Sequence, residues 1–142
     1  MRPPVSKKFK VLFICIGNAC RSQIAEGFAR AYGSDVLDAF SAGLMPTVSI
    51  PSLTRKVMLE KNLPIDQQFP KGLELYQRAA FDVVINMSGQ PIARGLQSVA
   101  RNWVVFDPMG QGEGVFRQVR DQLENQVMLL VLELRSKAAK AQ

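Results

Sequence analysis

Histidine is absent from this chain, and cysteine occurs only twice, as Cys15 and Cys20. Without histidine no Cys-His or Ser-His pair can activate a nucleophile, and no zinc cluster of ordinary ligand spacing can form. Two cysteines five positions apart do not make the disulfide framework of a small secreted domain. Tryptophan occurs once, and basic residues do not interleave with aromatics, which argues against a nucleic-acid surface despite a net charge of +6. Much of that charge sits at the ends, on Arg2, Lys7, Lys8 and Lys10 and on Arg135, Lys137 and Lys140, so it belongs to tails rather than to a binding face. No apolar run approaches the ~18 residues of a membrane helix. The apolar run from Val11 to Ile16 follows basic residues as an export signal would, but it is short and is broken by Gly17, Asn18 and Arg21. The expectation is a cytoplasmic protein with neither membrane nor nucleic acid as partner.

What is present suits one domain: 142 residues, 47% of them apolar, are enough to bury a core. We place this domain at residues 10–137, after a basic flexible tail at 1–9 and before a short tail at 138–142. The run Cys15-Ile16-Gly17-Asn18-Ala19-Cys20-Arg21-Ser22 stands where a buried-strand pattern, Val11-Leu12-Phe13-Ile14, gives way to a helical one. Ile24, Ala25, Phe28 and Tyr32 recur at helical spacing, and Gly33 closes the helix. A loop that enters a helix at its N-terminus points backbone N–H groups inward and favours an anion. With Arg21 close by, the same field favours negative charge on the Cys15 sulfur. Gly17 and Asn18 tolerate the backbone bends that such a wrap demands.

The remaining pattern alternates. Val36 to Ser41 reads as a second strand, and Pro51, Leu53, Val57 and Met58 mark a helix ending near Asn62, with Leu63-Pro64-Ile65-Asp66 breaking it. Leu73 to Ala80 reads as a short helix and Asp82 to Met87 as a third strand. A turn at Ser88-Gly89-Gln90-Pro91 leads to a helical stretch from Ile92 to Val99, and Trp103 to Phe106 reads as the fourth strand. Phe116, Val119, Leu123, Val127, Leu130 and Leu134 share one face of a long final helix. The fold class is therefore α/β: three layers, with a four-stranded parallel sheet, helices on both faces and the site at the carboxyl ends of the strands.

The run from Val11 to Glu26, followed by Ser41-Ala42-Gly43, Asp66 and Asp107-Pro108, resembles the low-molecular-weight protein tyrosine phosphatases and the arsenate reductases that share their phosphotyrosine phosphatase I-like fold. The resemblance spans most of the chain and implies an oxyanion loop of Ile16, Gly17, Asn18, Ala19, Cys20, Arg21 and Ser22 around a Cys15 nucleophile. Arg21 would grip two oxyanion oxygens in a bidentate fork. Asp107 would protonate the leaving oxygen as general acid and then take a proton from water. Ser22 would donate to the Cys15 sulfur, Asn18 would brace the loop, and Cys20 is a candidate redox partner protecting Cys15. By the same resemblance, Asn18, Glu26, Ser41 and Asp66 form a candidate monovalent-cation site; no other metal and no organic cofactor is expected.

Two branches of that superfamily leave different marks. Gln23, in the stretch Arg21 to Gly27, and the stretch Phe116 to Asp121 resemble the reductases, where the phosphatases usually place proline after the serine. No cysteine follows Cys20, however, and Met87-Ser88-Gly89 stands where thioredoxin-coupled reductases carry further cysteines. Met109-Gly110 replaces the tyrosines that commonly follow the aspartate-proline pair, and Thr47 and Val48 offer no aromatic wall. The leading expectation is a cysteine-dependent phosphomonoesterase acting on a phosphate monoester or phosphoprotein. The alternatives are an arsenate reductase coupled to an external small thiol or redoxin, and a non-catalytic oxyanion-binding module.

Overall fold

The computed structural model describes residues 8–76 and 78–141; residues 1–7 of the expected tail lie outside them. The strand β1 (Phe9–Cys15) begins one residue before the expected domain boundary. Its Val11, Leu12, Phe13 and Ile14 are all fully buried, as a central strand covered on both faces requires. On one side lies parallel β2 (Leu37–Gly43), with Cys15 opposite Gly43; on the other lies parallel β3 (Val83–Asn86), with Ile14 opposite Asn86. The strand β4 (Ala100–Asn102) pairs with β3 to complete a four-stranded sheet in the order β2-β1-β3-β4. The chain leaves β1 toward one side and later returns on the other, so a crevice opens at the carboxyl end of β1.

One face is covered by α1 (Arg21–Gly33) and α4 (Glu113–Lys140), whose Ile24, Phe28, Leu123, Val127 and Leu134 join Val11 and Phe13 in the main core. The helix α2 (Ser52–Leu59) packs beside them, and the turn that follows it closes on Asn62, which adopts a φ of 58°, the left-handed conformation that asparagine tolerates. The other face, built on Leu12, Ile14 and Val84, has a thinner cover: a 3-10 turn at Leu73–Tyr76 and the single-turn α3 (Arg94–Gln97). There the rings of Phe40, Tyr76 and Phe81 meet edge to face, with centroids within 5.7 Å, and aromatic surface does the work of a longer helix.

Three expectations change. The fourth strand is not Trp103 to Phe106 but Ala100–Asn102, because the Trp103 amide makes its bond to Asn86 O and the chain then passes the end of β3. Val104 and Phe106 turn outward while Val105 is buried, so strand-like composition there serves an extended segment that crosses the site. The helix expected over Leu73 to Ala80 shrinks to the 3-10 turn, since Leu73 and Tyr76 anchor to the sheet while Ala79 and Ala80 are exposed. The final helix runs to Lys140, so Ala138 to Lys140 continue the domain rather than form a tail.

Ion pairs clamp α2 to α4. Glu60 accepts from Arg117 Nη2 at 2.8 Å and from Arg120 Nη1 at 2.6 Å, and Arg120 also donates to Val57 O. Arg117 first, with Arg120, holds the Glu60 carboxyl down at about 2. A carboxyl depressed in the folded state adds stability above its unfolded value, and that stability is lost as pH falls through the folded value. The melting temperature should therefore drop between about pH 4.5 and pH 2. Glu60→Gln should lower it at neutral pH and flatten that acid limb; a variant with an unchanged profile would remove this clamp from the stability of the fold.

Candidate active site

The loop between β1 and α1 is held from outside by its carbonyls. Cys15 O accepts from the Leu44 amide at 3.1 Å, Ile16 O from Met45 at 2.8 Å and Gly17 O from Thr47 at 3.0 Å, while Asn18 O accepts from Gln23 Nε2 at 2.9 Å. In a trans peptide the following N–H points opposite to the carbonyl, so the amides of Ile16, Gly17, Asn18 and Ala19 face inward. The helix α1 starts at Arg21 with no side-chain cap and no acidic residue in its first turn, which leaves its positive end directed into the same ring. Asn18 takes the one positive φ of the loop, 50°. Gly43 lies directly beneath: a Cβ there would sit 2.8 Å from Asn18 N and from Ile16 O.

Inside the ring, Cys15 Sγ lies 2.9 Å from Ser22 Oγ, and Asn18 Nδ2 donates to that Oγ at 2.7 Å. Because Ser22 Oγ already accepts from Asn18, its hydroxyl hydrogen is free to point at the sulfur, which links Asn18, Ser22 and Cys15 in one chain of contacts. Asn18 is fixed in turn, since its Oδ1 accepts from the Lys71 amide at 2.9 Å and from Gln23 Nε2 at 3.0 Å. Gln23 Nε2 also reaches Phe69 O, and Gln68 Nε2 donates back to Gln23 O and Oε1. A proline in place of Gln23 would keep only the backbone carbonyl that Gln68 reaches and lose every side-chain bond of this set.

Arg21 is 6% exposed. Its Nη1 donates to Met87 O at 2.6 Å and to Val105 O at 3.2 Å, which fixes the plane of the guanidinium, and Nη2 stands 3.5 Å from Asp107 Oδ2. Its Nε is buried without a hydrogen-bond partner, an arrangement that costs about 1–3 kcal/mol unless a ligand accepts the bond. Asp107 is half exposed above the loop, and its Oδ1 accepts from the Met109 amide at 3.1 Å. A cavity of about 260 Å³ is lined by Cys15, Arg21, Asp107, Met45, Thr47 and Met109, among others. It brings together a thiol, a guanidinium, inward amides and a carboxylate on the open side, an arrangement with the chemical groups to hold and attack a tetrahedral oxyanion.

Cys20 also lines this cavity and is a free thiol, as is Cys15. Burial pushes the Cys20 thiol up to about 11, against a bond from Thr54 Oγ1 at 3.4 Å, and Cys20 packs with Ala19, Val57 and Phe116.

The residues expected around a monovalent cation do not fit one. Ser41 Oγ donates to Glu26 Oε1, but the ammonium of Lys71 stands 3.9 Å from that oxygen and 3.4 Å from Ser41 Oγ. Asn18 spends its oxygen on the Lys71 and Gln23 N–H groups. Asp66 is exposed and joins none of them by a hydrogen bond or ion pair among the described residues. Lys71 and Gln68 escape sequence reasoning because they lie in an irregular segment far from the loop in sequence. The spacing of Glu26 and Ser41 gives no sign of which cation faces them.

The family model described as low molecular weight phosphotyrosine protein phosphatase matches residues 10–140. A glutaredoxin arsenate reductase of Synechocystis is 34% identical over 129 residues, covering 88% of this chain and 98% of that protein. Among solved structures, an arsenate reductase in the phosphate binding state superposes with a TM-score of 0.83 at 32% identity, over 90% of this chain and 99% of that one. A tyrosine phosphatase of Erwinia amylovora shares the fold, with a TM-score of 0.78 at 22% identity over 91% and 95% of the two chains.

The close approach of Gly43 to the loop supplies a direct test. Gly43→Ala should push the Ile16 to Asn18 backbone inward, weaken phosphate binding by about ten-fold or more and destabilise the fold by about 1–3 kcal/mol. Calorimetric titration with phosphate and thermal melts would measure both; wild-type binding in the variant would show that the loop does not rest on Gly43.

Proposed function

The chain belongs to the low-molecular-weight phosphotyrosine protein phosphatase family, and from that membership we propose that it is a cysteine-dependent phosphomonoesterase working through a Cys15 thiophosphate. The observation that carries this reading is the buried, unpartnered Nε of Arg21, a residue that lines one cavity with Cys15 and Asp107. Two phosphoryl oxygens would take Nε–H and Nη2–H as a planar fork, and the remaining charge would meet the inward amides. The Cys15 sulfur attacks phosphorus as the ester P–O bond breaks, and the leaving oxygen takes the Asp107 proton. Water then attacks phosphorus, Asp107 accepts its proton, and the S–P bond breaks. The Ser22 hydroxyl, 2.9 Å from Sγ, supports the departing thiolate in that step. The walls of Met45, Thr47 and Met109 meet the leaving group with thioethers rather than rings, which supports broad phosphomonoester acceptance over dedicated phosphotyrosine recognition. In this reading the enzyme works in the cytoplasm, and Cys20 is the thiol available to cap an oxidised Cys15.

A second reading, arsenate reduction, is favoured by the Gln23 cross-link and by the relatives named above. No cysteine follows Cys20, so an external thiol would attack the sulfur of a Cys15-arsenate adduct. Arsenite would leave with the S–As electron pair, and a second thiol would resolve the mixed disulfide. Release of phenolate from an aryl phosphate, without metal or thiol, separates the two. Turnover supports the hydrolase, whereas none with reduced Cys15, together with glutathione-dependent arsenite formation, supports the reductase.

Cys15→Ser should abolish turnover and leave phosphate binding within a few-fold of wild type; residual turnover near wild type would remove the covalent route. Asp107→Asn should slow an alkyl phosphate by about 10²-fold or more and an aryl phosphate with a good leaving group far less, because only the poor leaving group needs the proton. Equal losses on both substrates would end the assignment of Asp107 as general acid.

A further inference from the structure

Glu26 is 2% exposed between α1 and β2, and a carboxylate so enclosed requires opposite charge. Arg30 Nε supplies part of it at 2.8 Å from Oε2. The rest comes from the Lys71 ammonium, 3.9 Å from Oε1, which also donates to Phe69 O at 2.9 Å, lies 3.4 Å from Ser41 Oγ and stands 4.9 Å from the Phe69 ring centre. A carboxylate, a hydroxyl and a carbonyl around one positive charge are the oxygen donors a hard monovalent cation takes. Here the charge arrives on a tether.

We propose that Lys71 is a built-in replacement for a bound monovalent cation and a positioning residue for the oxyanion loop. The link is covalent and short. The residue whose ammonium answers Glu26 donates its own amide to Asn18 Oδ1 at 2.9 Å and accepts the Gly43 amide on its carbonyl at 2.8 Å. Asn18 passes the constraint to Ser22, and Ser22 to Cys15. Pinning the Lys71 side chain therefore sets the position of the amide that orients Asn18, and the loop keeps its shape whatever the surrounding salt. Removing the charge while keeping the backbone leaves Glu26 short of one cation and opens a pocket of oxygen donors for a diffusible one.

The inference rests on the oxyanion-binding reading of the loop but not on which reaction follows. Its test is phosphate binding, with melting temperatures, for wild type and Lys71→Met in potassium chloride and in choline chloride at equal ionic strength. Wild type should bind phosphate and melt alike in both salts. Lys71→Met should bind about ten-fold more weakly in choline and recover most of its affinity and stability as potassium rises. The proposal falls if Lys71→Met binds as wild type does in choline, or if potassium restores nothing. Should Lys71→Met not fold, the wild-type arm still decides, because a saturable rise of its melting temperature with potassium would show that an ion, not Lys71, completes the site. Absence of phosphate binding by wild type in either salt defeats the oxyanion reading instead, and the melting temperatures of the two proteins then judge Lys71 alone.

Discussion

The loop after β1 keeps its amides free for a ligand because the carbonyls of Cys15 to Asn18 are engaged elsewhere, on Leu44, Met45, Thr47 and the Gln23 side chain. A backbone that satisfied itself would present mixed dipoles to an anion, and the site would have no sign. The segment that supplies those outside donors follows β2 directly, which is why β2 must end on a residue without a side chain. Gly43 lets two stretches of backbone approach at a distance that a methyl group would forbid.

Arg21 and Ser22 are each held by an element other than their own. Arg21 begins α1 but is aimed by carbonyls beyond β3 and β4. Ser22 is held by Asn18, and Asn18 by the 69–72 segment on the far side of β2. Asp107 is oriented by its own turn, and its half-exposed carboxylate is the most loosely held of the set. That gradient suits the proposed division of labour, in which the groups that would bind the oxyanion gain from rigidity, while the group over the open side would admit and release substrate.

The parts of this architecture legible in the sequence are those coded by neighbours. Val11 to Ser22 declared a buried strand, a tight loop and a helix start, because the apolar run, Gly17-Asn18 and the following helical period lie side by side. The α4 face was legible for the same reason. The fourth strand was misplaced because Trp103 to Phe106 is apolar and β-branched for another purpose. Val105 is buried and gives its carbonyl to Arg21, and strand pairing stops where β3 stops, a limit set by the partner rather than by the segment itself. Lys71 was invisible because its role depends on a buried carboxylate forty-five positions earlier, and pattern within a window carries no information about charge pairing across the fold.

The helix α4 supplies a large share of the wall over the β1 face, through Leu123, Val127, Leu130 and Leu134, yet it follows every strand of the sheet in chain order. The sheet and α1 can therefore pair before α4 arrives, but Phe13 and Phe28 then lie under an open, greasy side. Loss of the stretch from Leu123 to Leu134 removes cover from the centre of the domain rather than trimming an edge.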